Sequence, residues 1–135
     1  MRDHTFEVPI QVRWRDLDAY GHVNHAAVVS YLEIARVELW RSWFGDQGLQ
    51  GAGLVVVGLS VDYRRQIALY DEVRVSVGVA EARRATFAFD YRVSSGDLLA
   101  ASALTRHACL RADNGRPTRI PADLRRLLQQ HVSAF

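Results

Sequence analysis

The chain has 135 residues, a length typical of one domain, and its 49% hydrophobic and 24% charged residues are ordinary for a globular protein with a buried core. All 17 basic residues are arginine, but the formal net charge is only +2, which gives no support for nucleic-acid binding. One cysteine excludes an internal disulfide, and we find neither a signal peptide nor a run of about 18 apolar residues. We therefore expect a single domain over residues 1–135, cytoplasmic and without a membrane span.

The first two predicted elements are a strand and a long helix. Residues 6–14 are rich in β-forming side chains but include Pro9, which cannot donate to a β-ladder, so we expect an edge strand or a bulge. Over residues 25–44 the apolar positions recur at the i, i+3, i+4, i+7 spacing of one helix face. Asn24 is suited to cap the start of this helix and Gly45 to end it. The helix is apolar enough that we expect it to be largely buried.

Beyond the helix, "GAG" at residues 51–53 breaks the chain and the hydrophobic period becomes 2, which is typical of strands. In the first strand, Val55, Val57 and Leu59 are expected to share one face. Four consecutive strands joined by short turns favour an antiparallel meander, with the long helix on one face in an α+β arrangement. The predicted strands, followed by a short amphipathic helix, cover residues 55–63, 73–79, 87–93, 98–111 and 122–131.

Titratable side chains are concentrated just before the long helix. Asp18 is, on its own, either a catalytic carboxylate or a turn or capping residue, and we expect Asp16 to be an exposed turn carboxylate. His22 and His25 are able to act as general acid or base, to hold a substrate, or to form structural hydrogen bonds. Their spacing matches no zinc-binding motif such as H-E-x-x-H, so we expect no metal site.

The stretch "RWRDLDAYGHVNHAAVVSYLEIAR", together with the order of elements, resembles the hotdog-fold thioesterases of the 4-hydroxybenzoyl-CoA thioesterase family. The most specific part of the likeness is D-x-D-x-x-G-H-V-N-H, and the whole covers residues 6–128. The resemblance implies a hotdog fold, in which an antiparallel β-sheet wraps around a long central helix. It also implies hydrolysis of acyl-CoA thioesters to a free acid and CoA, without a metal or other cofactor.

The resemblance implies roles for individual residues of this run. In the family the carboxylate matching Asp18 is catalytic, as nucleophile or as general base for a water, and the backbone N–H matching His25 donates to the oxyanion. A helix N-terminus suits this task because it offers free N–H groups and a positive dipole end. Family members commonly carry an aromatic residue at the position of Val28, so the acyl preference stays open. The expected substrate-binding residues of the run are Tyr20, Gly21, His22, Asn24 and Val28.

Two arginine pairs are candidates to bind the phosphates of CoA, because a guanidinium recognises phosphate oxygens bidentately. Arg64 and Arg65 end the first of the four strands. Arg83 and Arg84 begin "RRATF", near which family members often place basic residues for the nucleotide end of CoA. Each pair has a plain alternative as a solvated strand end. Acyl carrier protein is a second possible carrier, since it presents the same phosphopantetheine arm.

Assembly and activity are expectations drawn from the same resemblance. In the family the active sites lie at the interface of a dimer with a continuous sheet, and dimers often pair, so we expect a homodimer or homotetramer. Fold alone does not establish hydrolysis, and the alternative is a module that binds acyl-CoA or acyl carrier protein without hydrolysing it. Asp18 beside the helix entrance favours the hydrolase, and the same run disfavours a dehydratase of the hotdog class. Cys109 is expected to be an inert core thiol.

Overall fold

The computed structural model describes residues 6–46 and 53–132. The predicted order of elements is confirmed. The first strand ends earlier than predicted because a single 3₁₀ turn takes Trp14–Asp16, and of the expected break at 51–53 only Gly53 lies within the described residues. No helix in the described residues is long and apolar enough to cross a membrane. The helices and strands are β1 (Phe6–Ile10), α1 (His25–Phe44), β2 (Gly53–Tyr63), β3 (Val73–Ala82), β4 (Thr86–Ser95), β5 (Leu98–Leu110) and α2 (Ala122–His131).

The five strands form one antiparallel sheet in the order β1-β3-β4-β5-β2. The predicted meander is correct for β3, β4 and β5 but wrong for β2, which pairs with β5 at the edge of the sheet. The reason is the connection of residues 64–72 between β2 and β3, which is too long for a hairpin. Pro9 lies in β1 at the opposite edge, as expected for a residue without a backbone donor.

Helix α1 lies against one face of the sheet, above β1 and β3. Asn24 caps its start by accepting the N–H of Ala26 at 2.8 Å, and Gly45 ends it with φ 72°, both as predicted. The expectation of a largely buried helix is wrong, because Ile34 and Val37 are 43% and 48% exposed. The sheet covers only one side of the helix, and its buried residues are Val28, Tyr31, Leu32, Ala35 and Leu39.

Strand β2 leaves apolar surface uncovered at the edge of the sheet. Its pairing with β5 shifts between Val56 and Gly58, so Val57 is a bulge residue, and Val56 faces the same side as Leu59. The predicted face of Val55, Val57 and Leu59 is therefore wrong, since an extra residue reverses the alternation. On the side of the sheet that carries α1, Val56, Leu59 and Tyr63 remain 50%, 48% and 49% exposed.

A chain of buried polar groups crosses the core between α1 and the sheet. Arg36 on α1 donates to the Tyr91 hydroxyl at 3.1 Å, Tyr91 bonds Thr105 at 2.7 Å, and Thr105 bonds Nε2 of His107 at 2.8 Å. Burial, and then the positive charge of Arg36, lowers the pKa of His107 to about 4. His107 is therefore a neutral side chain of the core at physiological pH.

Arg36 forms an ion pair at the edge of this core, and Cys109 is buried within it. Arg36 meets the exposed Glu33, three positions before it on α1, at 3.8 Å. Cys109 is a buried free thiol in the same core, as predicted, and burial raises its pKa. These two side chains serve the packing of the domain.

Candidate active site

The segment between β1 and α1 is anchored by Asp16, whose carboxylate is only 4% exposed. Its Oδ2 accepts the Tyr31 hydroxyl at 2.7 Å and the Arg13 N–H at 2.9 Å, and Oδ1 accepts the Arg13 guanidinium at 3.0 Å. Burial alone raises the pKa of Asp16, but the hydrogen bonds from Arg13 and Tyr31 outweigh it and lower the pKa overall. The expectation of an exposed turn carboxylate is wrong, because Tyr31 on α1 closes over this residue.

Residues 16–24 fold back on themselves as a small hairpin that ends at the helix cap. Leu17 pairs with Val23, and the backbone N–H of Asn24 donates to the carbonyl of Asp16 at 2.8 Å. Gly21 makes the turn with φ 84°, a left-handed value that glycine adopts without strain. The base of the hairpin therefore lies at the cap of α1, and residues 18–22 form its tip.

Asp18 lies at this tip with its side chain exposed. Its Oδ1 accepts the backbone N–H of Tyr20 at 2.9 Å and that of His22 at 3.3 Å, which fixes the carboxylate within the turn. Its Oδ2 accepts no hydrogen bond from any described residue. Asp18 is two residues along the hairpin from Asp16, about 7 Å, and Asp16 stands opposite the helix cap. The arrangement gives an oriented carboxylate with one available oxygen near the start of α1.

The first turn of α1 leaves one backbone donor available. Asn24 accepts the N–H of Ala26 with its side chain, and its carbonyl accepts those of Ala27 and Val28 at 3.0 and 3.3 Å. Within the described part of the chain, nothing accepts the N–H of His25. A free N–H at the positive end of a helix is suited to stabilise an oxyanion, the role expected for His25.

A pocket of about 240 Å³ opens beside this helix start. It brings together four of the predicted residues, His25, Val28, Arg64 and Arg65, while the hairpin residues Asp18, Tyr20, Gly21, His22 and Asn24 lie outside its lining. Sequence reasoning missed Tyr63, whose hydroxyl donates to the carbonyl of His25 at 2.9 Å. Tyr63 directly precedes the arginine pair and ends an alternating strand, which is the only signal the sequence offers. The remaining lining residues are Val23, Gln66, Ile67, Ala100 and Ala101.

The second arginine pair lies at the other end of the sheet. Arg84 lines a separate cavity of about 330 Å³ together with Arg119 and Arg125, and none of the three has an ion-pair partner among the described residues. Arg83 instead meets Glu81 at 3.5 Å. Along β5 the two cavities are eight residues apart, about 27 Å, so one chain does not join them into one site.

Two further arginines line the cavity at Arg84. Sequence reasoning missed both, Arg119 and Arg125. They lie beside Arg84 only because residues 117–122 fold back onto the turn before β4.

In the hairpin, His22 has a buried Nδ1 without a hydrogen-bond partner in the described chain. The described residues contain no group of three or more histidine, cysteine, aspartate or glutamate side chains placed to hold a metal ion.

Comparison with known proteins shows what the chain is similar to. Residues 12–128 match the model of the thioesterase-like superfamily. The acyl-CoA thioesterase YbgC of Haemophilus influenzae is 32% identical over 93% of this chain and 95% of its own length. The 1,4-dihydroxy-2-naphthoyl-CoA hydrolase of Synechococcus elongatus is 31% identical over 96% and 97%.

Among solved structures, a thioesterase of Thermus thermophilus complexed with coenzyme A and Zn superposes with a TM-score of 0.79. It is 33% identical, and the superposition covers 91% of this chain and 96% of that one. Five antiparallel strands packed on one long helix are common to both. The expected α+β hotdog thioesterase fold is confirmed.

Proposed function

Because the chain belongs to the thioesterase-like superfamily, we propose that it hydrolyses acyl-CoA thioesters with Asp18 as the reacting carboxylate and the N–H of His25 as the oxyanion donor. Hydrolysis of acyl-CoA thioesters follows from homology to two CoA thioester hydrolases at about 30% identity. The residue roles are supported by one observation above all. An oriented carboxylate with a free oxygen stands two residues from the position that faces the cap of α1, and the first N–H of that helix has no acceptor within the described chain.

The reaction follows from this geometry. The thioester carbonyl oxygen accepts the N–H of His25, and Asp18 either attacks the carbonyl carbon or takes a proton from the water that attacks it. As the C–O bond forms, negative charge develops on the carbonyl oxygen beside the helix dipole. The C–S bond then breaks, the thiolate of CoA takes up a proton, and the acid is released. In the covalent variant, water hydrolyses the anhydride on Asp18 in a second step.

We also propose that two copies of the chain complete the site. Strand β2 is an edge strand with apolar side chains exposed on the side of α1, a surface that an identical β2 and its helix would cover. Antiparallel pairing of two β2 strands about a twofold axis places the start of one strand beside the end of the other. The pocket of His25 in one subunit and the cavity at Arg84 of the partner subunit then lie at the same end of the joint sheet.

The pairing gives each arginine cluster a place in substrate binding. Arg64 lines the pocket where the thioester would react, and Arg84, Arg119 and Arg125 of the partner subunit would meet the phosphates of CoA. Three strand spacings, about 14 Å, separate β2 of one subunit from β4 of the other. This division explains why one chain carries its two candidate cavities at opposite ends.

The proposal is tested by measuring thiol release from short-chain, long-chain and aromatic acyl-CoA esters, with the wild type and with Asp18→Asn. We expect turnover by the wild type and a loss of about 10²- to 10⁴-fold in kcat for the variant. Asp18 is exposed, so the free energy of unfolding should change by no more than about 0.5 kcal/mol. Asp46→Asn is the matched control, since Asp46 is an exposed carboxylate at the far end of α1.

Two results would contradict the proposal. A wild type that binds these esters without releasing thiol would make the chain a binding module. Equal activities of Asp18→Asn and Asp46→Asn would remove Asp18 from the chemistry while leaving hydrolysis in place. Light scattering of the same samples tests the pairing, because the β2 interface predicts a particle of at least two chains.

A further inference from the structure

Tyr63 joins the edge of the sheet to the entrance of α1. It is the last residue of β2, and its hydroxyl donates to the carbonyl oxygen of His25 at 2.9 Å across 38 positions of sequence. Its ring meets the His25 imidazole edge to face, with centroids 6.4 Å apart. Tyr63 is therefore the side chain through which β2 contacts the first residue of the helix.

The hydrogen bond of Tyr63 completes a clamp on one peptide unit. The peptide between His25 and Ala26 has its carbonyl held by Tyr63 and its N–H held by the Asn24 side chain at 2.8 Å. Because a peptide unit is planar, fixing both polar ends fixes its orientation. The preceding peptide, which carries the free N–H of His25, shares the His25 Cα with it, so the clamp also limits the direction in which that N–H points.

A phenol has one O–H to donate in a hydrogen bond, and Tyr63 donates it to the carbonyl of His25. The hydroxyl thus has no second proton to give to a leaving group. Burial raises the pKa of Tyr63, which keeps the hydroxyl protonated at neutral pH. Both properties suit a group that holds backbone in place and does not itself transfer protons.

We propose that Tyr63 is a positioning residue that aims the backbone N–H of His25 at the thioester carbonyl oxygen. The inference rests on the proposed function and adds to it the side chain that organises the oxyanion site. Tyr63 thereby links the end of the edge strand β2 to the start of α1.

Tyr63→Phe tests the inference because it removes the hydroxyl and keeps the ring that lines the pocket. We expect kcat to fall about 2- to 12-fold, the range that one net hydrogen bond supports, with KM changed by less than about twofold. Tyr70→Phe is the matched control, since Tyr70 is 94% exposed and should leave both constants unchanged. A loss confined to packing would instead lower unfolding stability and leave the kcat of the folded enzyme unchanged.

A double-mutant cycle separates positioning from direct action on the substrate. His25→Pro removes the N–H itself, so Tyr63→Phe should cause no further loss of kcat in that background. An equal loss in both backgrounds, or an unchanged kcat in the otherwise wild-type enzyme, would overturn the inference.

Amide hydrogen exchange gives a readout independent of turnover. If the clamp exists, Tyr63→Phe should speed exchange of the Ala26 amide, whose acceptor is the Asn24 side chain. Unchanged exchange would overturn the clamp even in an active enzyme. A wild type that hydrolyses none of the esters, with faster Ala26 exchange in the variant, would refute the proposed function and leave the clamp standing.

Discussion

The chain places a carboxylate and an imidazole in each of two regions with opposite surroundings. At the entrance of α1, Asp18 and His25 are exposed, and Asp18 keeps one oxygen without a donor among the described residues. In the interior, Asp16 and His107 are buried, Asp16 accepts three hydrogen bonds, and His107 is held by Thr105. Only two positions of sequence separate Asp16 from Asp18.

The difference shows how environment divides the work between identical side chains. A buried carboxylate with both oxygens already hydrogen-bonded to the protein is closed off from a substrate, but it fixes the backbone that surrounds it. An exposed carboxylate can meet a substrate, and it relies on its neighbours for orientation. Asp16 thus holds the hairpin against α1, and Asp18 at the tip is the group available for reaction.

Apart from Asp18→Asn, the largest effect that tests this division is expected from the backbone of His25. His25 is the first residue of α1, where proline is well tolerated, and Asn24 before it has the extended conformation that a following proline requires. His25→Pro should therefore keep the helix and remove the candidate oxyanion donor, lowering kcat by about 10²- to 10³-fold. His25→Ala removes the same imidazole, keeps the N–H, and should retain most of the activity.

Comparison of these two variants isolates the backbone donor. Equal losses in both would assign the effect to the imidazole, and the proposed oxyanion site would be wrong. Circular dichroism of both proteins verifies that the helix is kept.

Local signals predicted more of this molecule than long-range contacts did. The limits of α1 were predicted because Asn24 and Gly45 act on their immediate neighbours. The burial of Asp16 was not predicted, because its partner Tyr31 lies fifteen positions further along the chain. The position of β2 was not predicted either, because it depends on a connection whose path the sequence does not specify.

The same difference between local signals and long-range contacts applies to the residues of the candidate site. Asp18 and the N–H of His25 were identified from one continuous motif, and their roles remain proposals. Tyr63 was missed because its contact with His25 spans 38 positions of sequence. A continuous motif thus offers candidates that a single segment carries, whereas it gives no sign of a residue that the sheet brings to them.

In the interior, the next largest effect is a loss of stability in mild acid. His107 has a pKa of about 4 in the folded chain against 6.5 in the unfolded chain, so between these values only the unfolded chain binds the proton. The free energy of unfolding should fall by roughly 2 to 3 kcal/mol from pH 7 to pH 4.5. Asp16 contributes little in this window, because its lowered pKa reduces stability mainly as the pH falls below its ordinary value of 3.8.

Urea unfolding at the two pH values measures this loss. His107→Gln has no group that titrates in the window and should show a much smaller difference between pH 7 and pH 4.5, whatever its stability at pH 7. His131→Gln removes an exposed histidine and should keep the full difference. An undiminished pH dependence in His107→Gln would show that another group is responsible.

The smallest effect is expected at the anchor of the hairpin. Asp16→Asn should lower the free energy of unfolding by about 1 to 3 kcal/mol, because in either orientation the amide nitrogen would face a donor of Arg13, its guanidinium or its backbone N–H. Tyr31→Phe leaves the carboxylate and its ion pair in place and removes one hydrogen bond, so about 0.5 to 1.5 kcal/mol is expected. Urea unfolding at pH 7 measures both.

Activity measured on the same two variants decides whether Asp16 is only an anchor. Asp16 reaches the helix cap through its carbonyl, which accepts the N–H of Asn24, and so a loosened anchor should lower kcat for both variants in the order of their stability losses. Asp16→Asn should nevertheless retain far more activity than Asp18→Asn, because its carboxylate is turned away from solvent. If Asp16→Asn instead matched the loss of Asp18→Asn while Tyr31→Phe kept full activity, the buried carboxylate would be part of the chemistry and the division between the two regions would not hold.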